Sequence, residues 1–99
     1  MDLGLKNKVA LVTGTGSQIG FGKAIATTLA KEGCKVIVSD IDLKGAQKTA
    51  DAIKALDGEA LAVKADITKE TEVQEMVKTG VARFGPIDIL VNNAGGILI

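Results

Sequence analysis

The sequence predicts an α/β fold in which a doubly wound parallel sheet carries helices on both faces. Three observations point there. Four short apolar runs, rich in β-branched and aliphatic residues, alternate with three longer stretches whose apolar residues recur at helical spacing. A glycine-rich segment, Gly14 to Gly22, joins the first run to the first helical stretch. Each apolar run, finally, gives way to a polar or glycine position at its C-terminal end. A β-α-β-α-β-α-β chain calls for parallel strands linked by right-handed crossovers. The doubly wound solution places the strands in the order 3-2-1-4, with ligands bound beyond their carboxyl ends where the winding reverses.

The strands are expected at Val9–Val12, Lys35–Ser39, Ala60–Lys64 and Ile87–Val91. Each is brief and aliphatic, as strands buried on both faces are. The first helix is expected from Gly22 to Lys31, with Gly33 as its C-terminal cap. The second, Leu43 to Leu56, places Ala46, Ala50, Ile53 and Leu56 on one face. Asp42 stands at its N-cap and Gly58 follows its end. The third, Lys69 to Phe84, aligns Val73, Met76, Val77, Val81 and Phe84. Thr68 is placed to cap it, Glu70 and Glu72 suit the positive end of its dipole, and Gly85-Pro86 stops it.

Composition narrows the function classes. The 99 residues suffice for one domain, residues 1–99, with 46% apolar and 24% charged residues, as in an ordinary globular protein. Twelve basic residues balance twelve acidic ones, which argues against a nucleic-acid or membrane-surface partner. No stretch has membrane-spanning length and MDLGLKNK is no signal peptide, so a cytoplasmic location is expected. Cys34 is the lone cysteine and the chain has no histidine, which leaves no internal disulfide and no basis for a zinc site. Cys34 reads as a small buried side chain at a strand entrance. With neither tyrosine nor histidine, the common acid–base groups other than carboxylates and lysines are missing.

The special positions fall at the strand ends. Strand, glycine loop and helix make a setting in which backbone N–H groups face a phosphate. Gly14-Thr15-Gly16 opens like a dinucleotide fingerprint, with the next glycine one residue late at Gly20. Asp40 ends the second strand twenty residues beyond Gly20, where a carboxylate accepts hydrogen bonds from the adenosine ribose. Its charge would repel a 2′-phosphate, which favours NAD over NADP; the alternative role for Asp40 is to cap a turn. Asp66, after the third strand, suits an adenine contact or a plain turn. Asn92-Asn93 follows the fourth strand, and buried amides need partners.

TGTGSQIGFG after the first strand, Asp40 after the second, Asp66-Ile67 after the third and NNAG after the fourth together resemble the short-chain dehydrogenase/reductase family. The resemblance covers essentially the whole chain and implies the N-terminal, Rossmann-type half of an oxidoreductase. In the complete enzyme hydride would pass between an alcohol or carbonyl carbon and the nicotinamide. By this resemblance Gly14, Ser17, Gly20 and Gly22 surround the pyrophosphate. Asp40 and Ile41 meet the adenosine ribose, Asp66 and Ile67 the adenine, and Asn93, Ala94 and Gly95 the nicotinamide side.

The glycine motif departs from the usual TGxxxGxG. Either Gly20-Phe21-Gly22 fills its last positions after two extra residues, or Ile19-Gly20 does and the extra residues open the helix. The serine and YxxxK that carry catalysis in the family lie beyond NNAG, so these 99 residues are expected to bind cofactor without turnover. A stand-alone nucleotide-binding or interaction module is the competing reading. The edge formed by Ile87–Val91, with Ile97-Leu98-Ile99 beyond it, would invite pairing with another chain.

Overall fold

A computed structural model describes residues 4–17 and 20–93. Seven elements follow one another: β1 (Val9–Thr13), α1 (Phe21–Lys31), β2 (Lys35–Asp40), α2 (Leu43–Ala55), β3 (Glu59–Lys64), α3 (Glu70–Phe84) and β4 (Ile89–Asn92). The strands are parallel and lie in the order β3-β2-β1-β4, the expected doubly wound half.

Two apolar layers hold the sheet. Alternate residues of the inner strands, Ala10, Val12, Val36 and Val38, pack with Ala60 against Ala26 of α1 and Ala50 and Ile53 of α2. Their neighbours Val9, Leu11 and Ile37 face the other way and meet Met76 of α3, with Val73 and Phe84 packed beside it. Both sides of β1 and β2 are therefore covered, which is why these strands read as unbroken apolar runs. Full burial of one such side chain is worth roughly 1.5–3 kcal/mol. The expectation of burial on both faces fails for the outer strands. β3 and β4 each have one strand neighbour, and Leu90 in β4 remains 45% exposed.

Several boundaries move, each for a local reason. β4 starts at Ile89 rather than Ile87 because Asp88 anchors the strand entrance. The Val9 N–H donates to Asp88 Oδ2 at 2.9 Å and the Asp88 N–H donates to Val9 O at 2.8 Å. Leu56, expected on the inner face of α2, is 54% exposed, because α2 ends at Ala55 and the chain turns through Asp57 at φ 63°. Asp42 is the N-cap residue of α2 but makes no side-chain cap bond. Thr68 does not cap α3; the N-cap position falls to Lys69, while the Thr68 hydroxyl turns back to Asp66. Gly33 and Gly85 follow α1 and α3 where expected.

Candidate functional site

Parallel register brings the strand ends level. Val63, Ser39, Thr13 and Asn92 stand side by side across the sheet, on β3, β2, β1 and β4 in turn. The residues that follow them, Lys64-Ala65-Asp66, Asp40-Ile41, Gly14 and Asn93, rim one edge. Topology alone thus gathers positions far apart in the chain. A pocket of about 140 Å³ opens there, lined by Thr13, Gly14, Ser39, Asp40, Ile41, Ala65, Asp66 and Ile67. Whole-ligand pockets run to roughly 300–1,000 Å³, so this one takes a single ring system and leaves the rest of a larger ligand along the open rim.

Asp40 joins β2 to the glycine loop. Its Oδ2 accepts the Gly16 N–H at 2.9 Å and its Oδ1 accepts the Asp42 N–H at 2.9 Å. A carboxylate has about four lone-pair sites, so among the described residues two are left for a ligand's hydroxyls. The turn role and the binding role weighed for Asp40 are compatible.

The loop and the start of α1 form a cradle without side chains. Gly22, in the first turn of α1, lies against the loop so closely that a Cβ there would stand 2.2 Å from Gly14 O. Close approach of the helix to the end of the strand is the task of the fingerprint's last glycine, met here at the residue that follows β1. It matches the alignment that sets Gly20-Phe21-Gly22 at the end of the motif. Asn93 closes the other side, its Nδ2 donating to Gly14 O at 3.2 Å, and the Thr13 hydroxyl donates to Asn92 Oδ1 at 2.9 Å. Gly20 is the N-cap residue of α1 and gives no side-chain cap, and no acidic residue stands in the first turn, so the positive dipole end faces the loop without a countercharge in that turn.

Asp66 sits in a tight turn. Thr68 donates to its Oδ1 twice, from the hydroxyl at 2.6 Å and from the backbone N–H at 3.0 Å. These bonds, the hydroxyl's first, hold the Asp66 carboxyl below its ordinary value; desolvation opposes them, and the Lys69 charge adds a lesser lowering. Glu72 secures the same turn from α3 by accepting the Asp66 N–H at 3.0 Å.

Of the residues singled out from sequence, Gly14, Asp40, Ile41, Asp66 and Ile67 meet at the pocket, while Gly22 and Asn93 meet at the loop. Ser17 and Gly20 face each other across the loop's outer turn, the Gly20 N–H donating to Ser17 O at 3.5 Å. Ala94 and Gly95 lie outside the described residues. Sequence reading missed Thr15, Ser39, Gly45 and Thr49, all buried around the loop. A signal existed for one of them: Thr49 falls on the apolar face of α2, and a polar residue there must find a partner. Ser39 Oγ is the buried side-chain oxygen with no partner among the described residues, and its residue lines the pocket.

These features fit a nicotinamide dinucleotide. The glycine cradle offers backbone to a pyrophosphate, Asp40 offers acceptors to a ribose, and Ile41 and Ile67 offer apolar surface to a base. Among the described residues no group of histidine, cysteine or carboxylate side chains could hold a metal ion.

Residues 8–98 match the family model described as short chain dehydrogenase. The chain is 44% identical over 95 residues to the 7alpha-hydroxysteroid dehydrogenase of Escherichia coli K12, covering 96% of this chain and 36% of that protein. It is 47% identical over 89 residues to the cyclohexanol dehydrogenase of an Acinetobacter strain, covering 90% and 35%. The crystal structure of an Escherichia coli hydroxysteroid dehydrogenase superposes with a TM-score of 0.85 at 42% identity, over 89% of this chain and 37% of that one. The chain thus spans a little over a third of the length of these relatives.

Proposed function

Because this chain belongs to the short-chain dehydrogenase family, we propose that its residues form the NAD-binding portion of an oxidoreductase acting between an alcohol and a carbonyl compound. The observation that carries the reading is Asp40, a carboxylate at the rim of the pocket with acceptor sites to spare, tied to the glycine loop. Two hydroxyls of an adenosine ribose suit those acceptors, and a 2′-phosphate would bring like charge against them. Gly14, Gly20 and Gly22 let the backbone approach the pyrophosphate. Asp66 and Ile67 flank the adenine, and Asn93 steadies the loop near the nicotinamide side.

The dinucleotide supplies the hydride chemistry. The chain's residues bind it and orient it against the glycine loop and the strand ends. With no tyrosine and no histidine, these residues do not supply the tyrosine-centred proton transfer that the family resemblance implies. No helix among the described residues is long and apolar enough to cross a membrane, and we place the protein in the cytoplasm.

Calorimetric titration of the intact protein with NAD and with NADP tests the reading. NAD is expected to bind at least about tenfold tighter, the worth of one charge-assisted hydrogen bond. Asp40→Ala removes that preference and also weakens NADP, because Gly16 loses its acceptor. Equal affinities in the unaltered protein overturn the NAD assignment. Failure to bind either cofactor overturns the dinucleotide reading.

A further inference from the structure

The buried face of α2 grips the glycine loop from below. Thr49 Oγ1 donates to Thr15 O at 2.7 Å, and both residues are fully buried. Four residues earlier, Gly45 lies so close to the loop that a Cβ would stand 2.2 Å from Gly16 O and 2.7 Å from Gly16 Cα. Thr15 is held from the opposite side by β2: its hydroxyl and its N–H both donate to Ser39 O, at 3.0 and 3.2 Å. The Gly16 N–H then goes to Asp40. The peptides on either side of Thr15 are therefore fixed by α2, by β2 and by the Asp40 carboxylate.

Thr49 stands apart from the two threonines of α1. Thr27 and Thr28 turn their hydroxyls back to the carbonyls four residues earlier in α1, at 2.7 and 2.8 Å, which serves only the helix itself. Thr49 instead crosses 34 residues of sequence to reach the loop. Packing alone does not ask for this, since valine has nearly the same shape and carries no polar group to satisfy.

We propose that Thr49 and Gly45 are positioning residues for the pyrophosphate, α2 holding the loop in its ligand-ready path, the Thr49 hydroxyl engaged with the loop and Gly45 having no side chain to offer a ligand. The inference rests on the dinucleotide reading above. A glycine-rich loop has many conformations to lose, so a loop fixed beforehand spares that entropy when the phosphate arrives. The effect belongs to ligands that carry the pyrophosphate. A ligand confined to the base and ribose pocket does not share it.

The test compares Thr49→Val, which keeps the shape and removes the donor, with Thr49→Ser, which keeps the donor. Binding of NAD, ADP and adenosine to the intact protein is measured by calorimetry. Thr49→Val is expected to weaken NAD and ADP about tenfold, the share of one buried hydrogen bond. Adenosine affinity stays the same, and Thr49→Ser stays within about twofold of the unaltered protein for all three. If Thr49→Val is not recovered folded, Thr49→Cys, a weaker donor, is read by the same criteria. NAD binding at full strength in the donor-deficient variant overturns the inference, as does equal weakening of adenosine and NAD. An unaltered protein that binds none of the three refutes the dinucleotide reading instead.

Discussion

Asp66 depends on one neighbour for its electrostatic state. The Thr68 hydroxyl and N–H both stabilise the ionised carboxyl, so its pKa in the folded protein lies below the value in the unfolded chain. The stabilisation is therefore complete at neutral pH and above the unfolded value, and it is lost as the pH falls through the lowered folded value. Thr68→Val removes the leading cause and leaves the backbone N–H. The Asp66 titration is then expected to move up toward the ordinary carboxylate range near pH 4, as followed by the side-chain carboxyl carbon resonance. An unmoved midpoint would show that the hydroxyl does not set the shift. Position and partner were unequally legible here. That Asp66 would sit at the strand end followed from the apolar run before it. That Thr68 would serve Asp66 rather than cap α3 did not, because a threonine two residues after an aspartate satisfies either pattern. Asp40 teaches the same lesson: one carboxylate makes the turn bonds and also lines the pocket, where the proposed ligand contact lies, and sequence posed the two roles as alternatives.

At the scale of the element, α3 shows what a hydrophobic pattern omits. Its expected inner face included Val77 and Val81, which are 37% and 39% exposed. The helix approaches the sheet instead along Val73, Met76, Gly80 and Phe84. Gly80 marks the point of closest contact, where a Cβ would stand 2.4 Å from Ile37 Cδ1. Glycine carries no hydrophobic signal, so the valines beside it looked like better core candidates. Gly80→Ala follows from this geometry. Alanine gains up to about 1 kcal/mol of helix propensity, whereas overfilling a packed core costs roughly 1–3 kcal/mol. Ile37 is fully buried and has little room to yield. We expect a net destabilisation of about 1 kcal/mol, measured as a lowered urea midpoint with an unchanged slope. A raised midpoint would mean that α3 can lift off β2 at little cost. The same argument explains why α2 was read well along Ala46, Ala50 and Ile53 and missed at Gly45 and Thr49, which face the loop with no apolar side chain to announce them.

Across the whole molecule, the sheet has two ends with different duties, and one thiol reports on both. The proposed binding residues rim the carboxyl ends of the strands, while Cys34 lies at the opposite edge, one residue before β2. It is buried, and its Sγ donates to Leu5 O at 3.5 Å. Burial, then Asp88 and Glu32, raise its pKa, so the thiol stays protonated near neutrality. Since the thiolate is the reactive form, a disulfide reagent modifies Cys34 only when the protein opens. The order of the strands was legible from the alternation of strands and helices, because right-handed crossovers leave the doubly wound order as the solution, whereas the apolar runs alone did not tell the central strands from the outer ones. Whether the two edges are coupled depends on the assembled core, which no run of residues displays. If opening at Cys34 requires the sheet to come apart, NAD bound at the far edge slows labelling by mass action. At a hundred times its dissociation constant the slowing is about hundredfold. Direct shielding cannot produce that result, because the cofactor and the thiol lie at opposite ends of the strands. Labelling that ignores NAD under conditions where calorimetry shows binding would mean that the β2 entrance frays locally, independent of the core that positions Asp40.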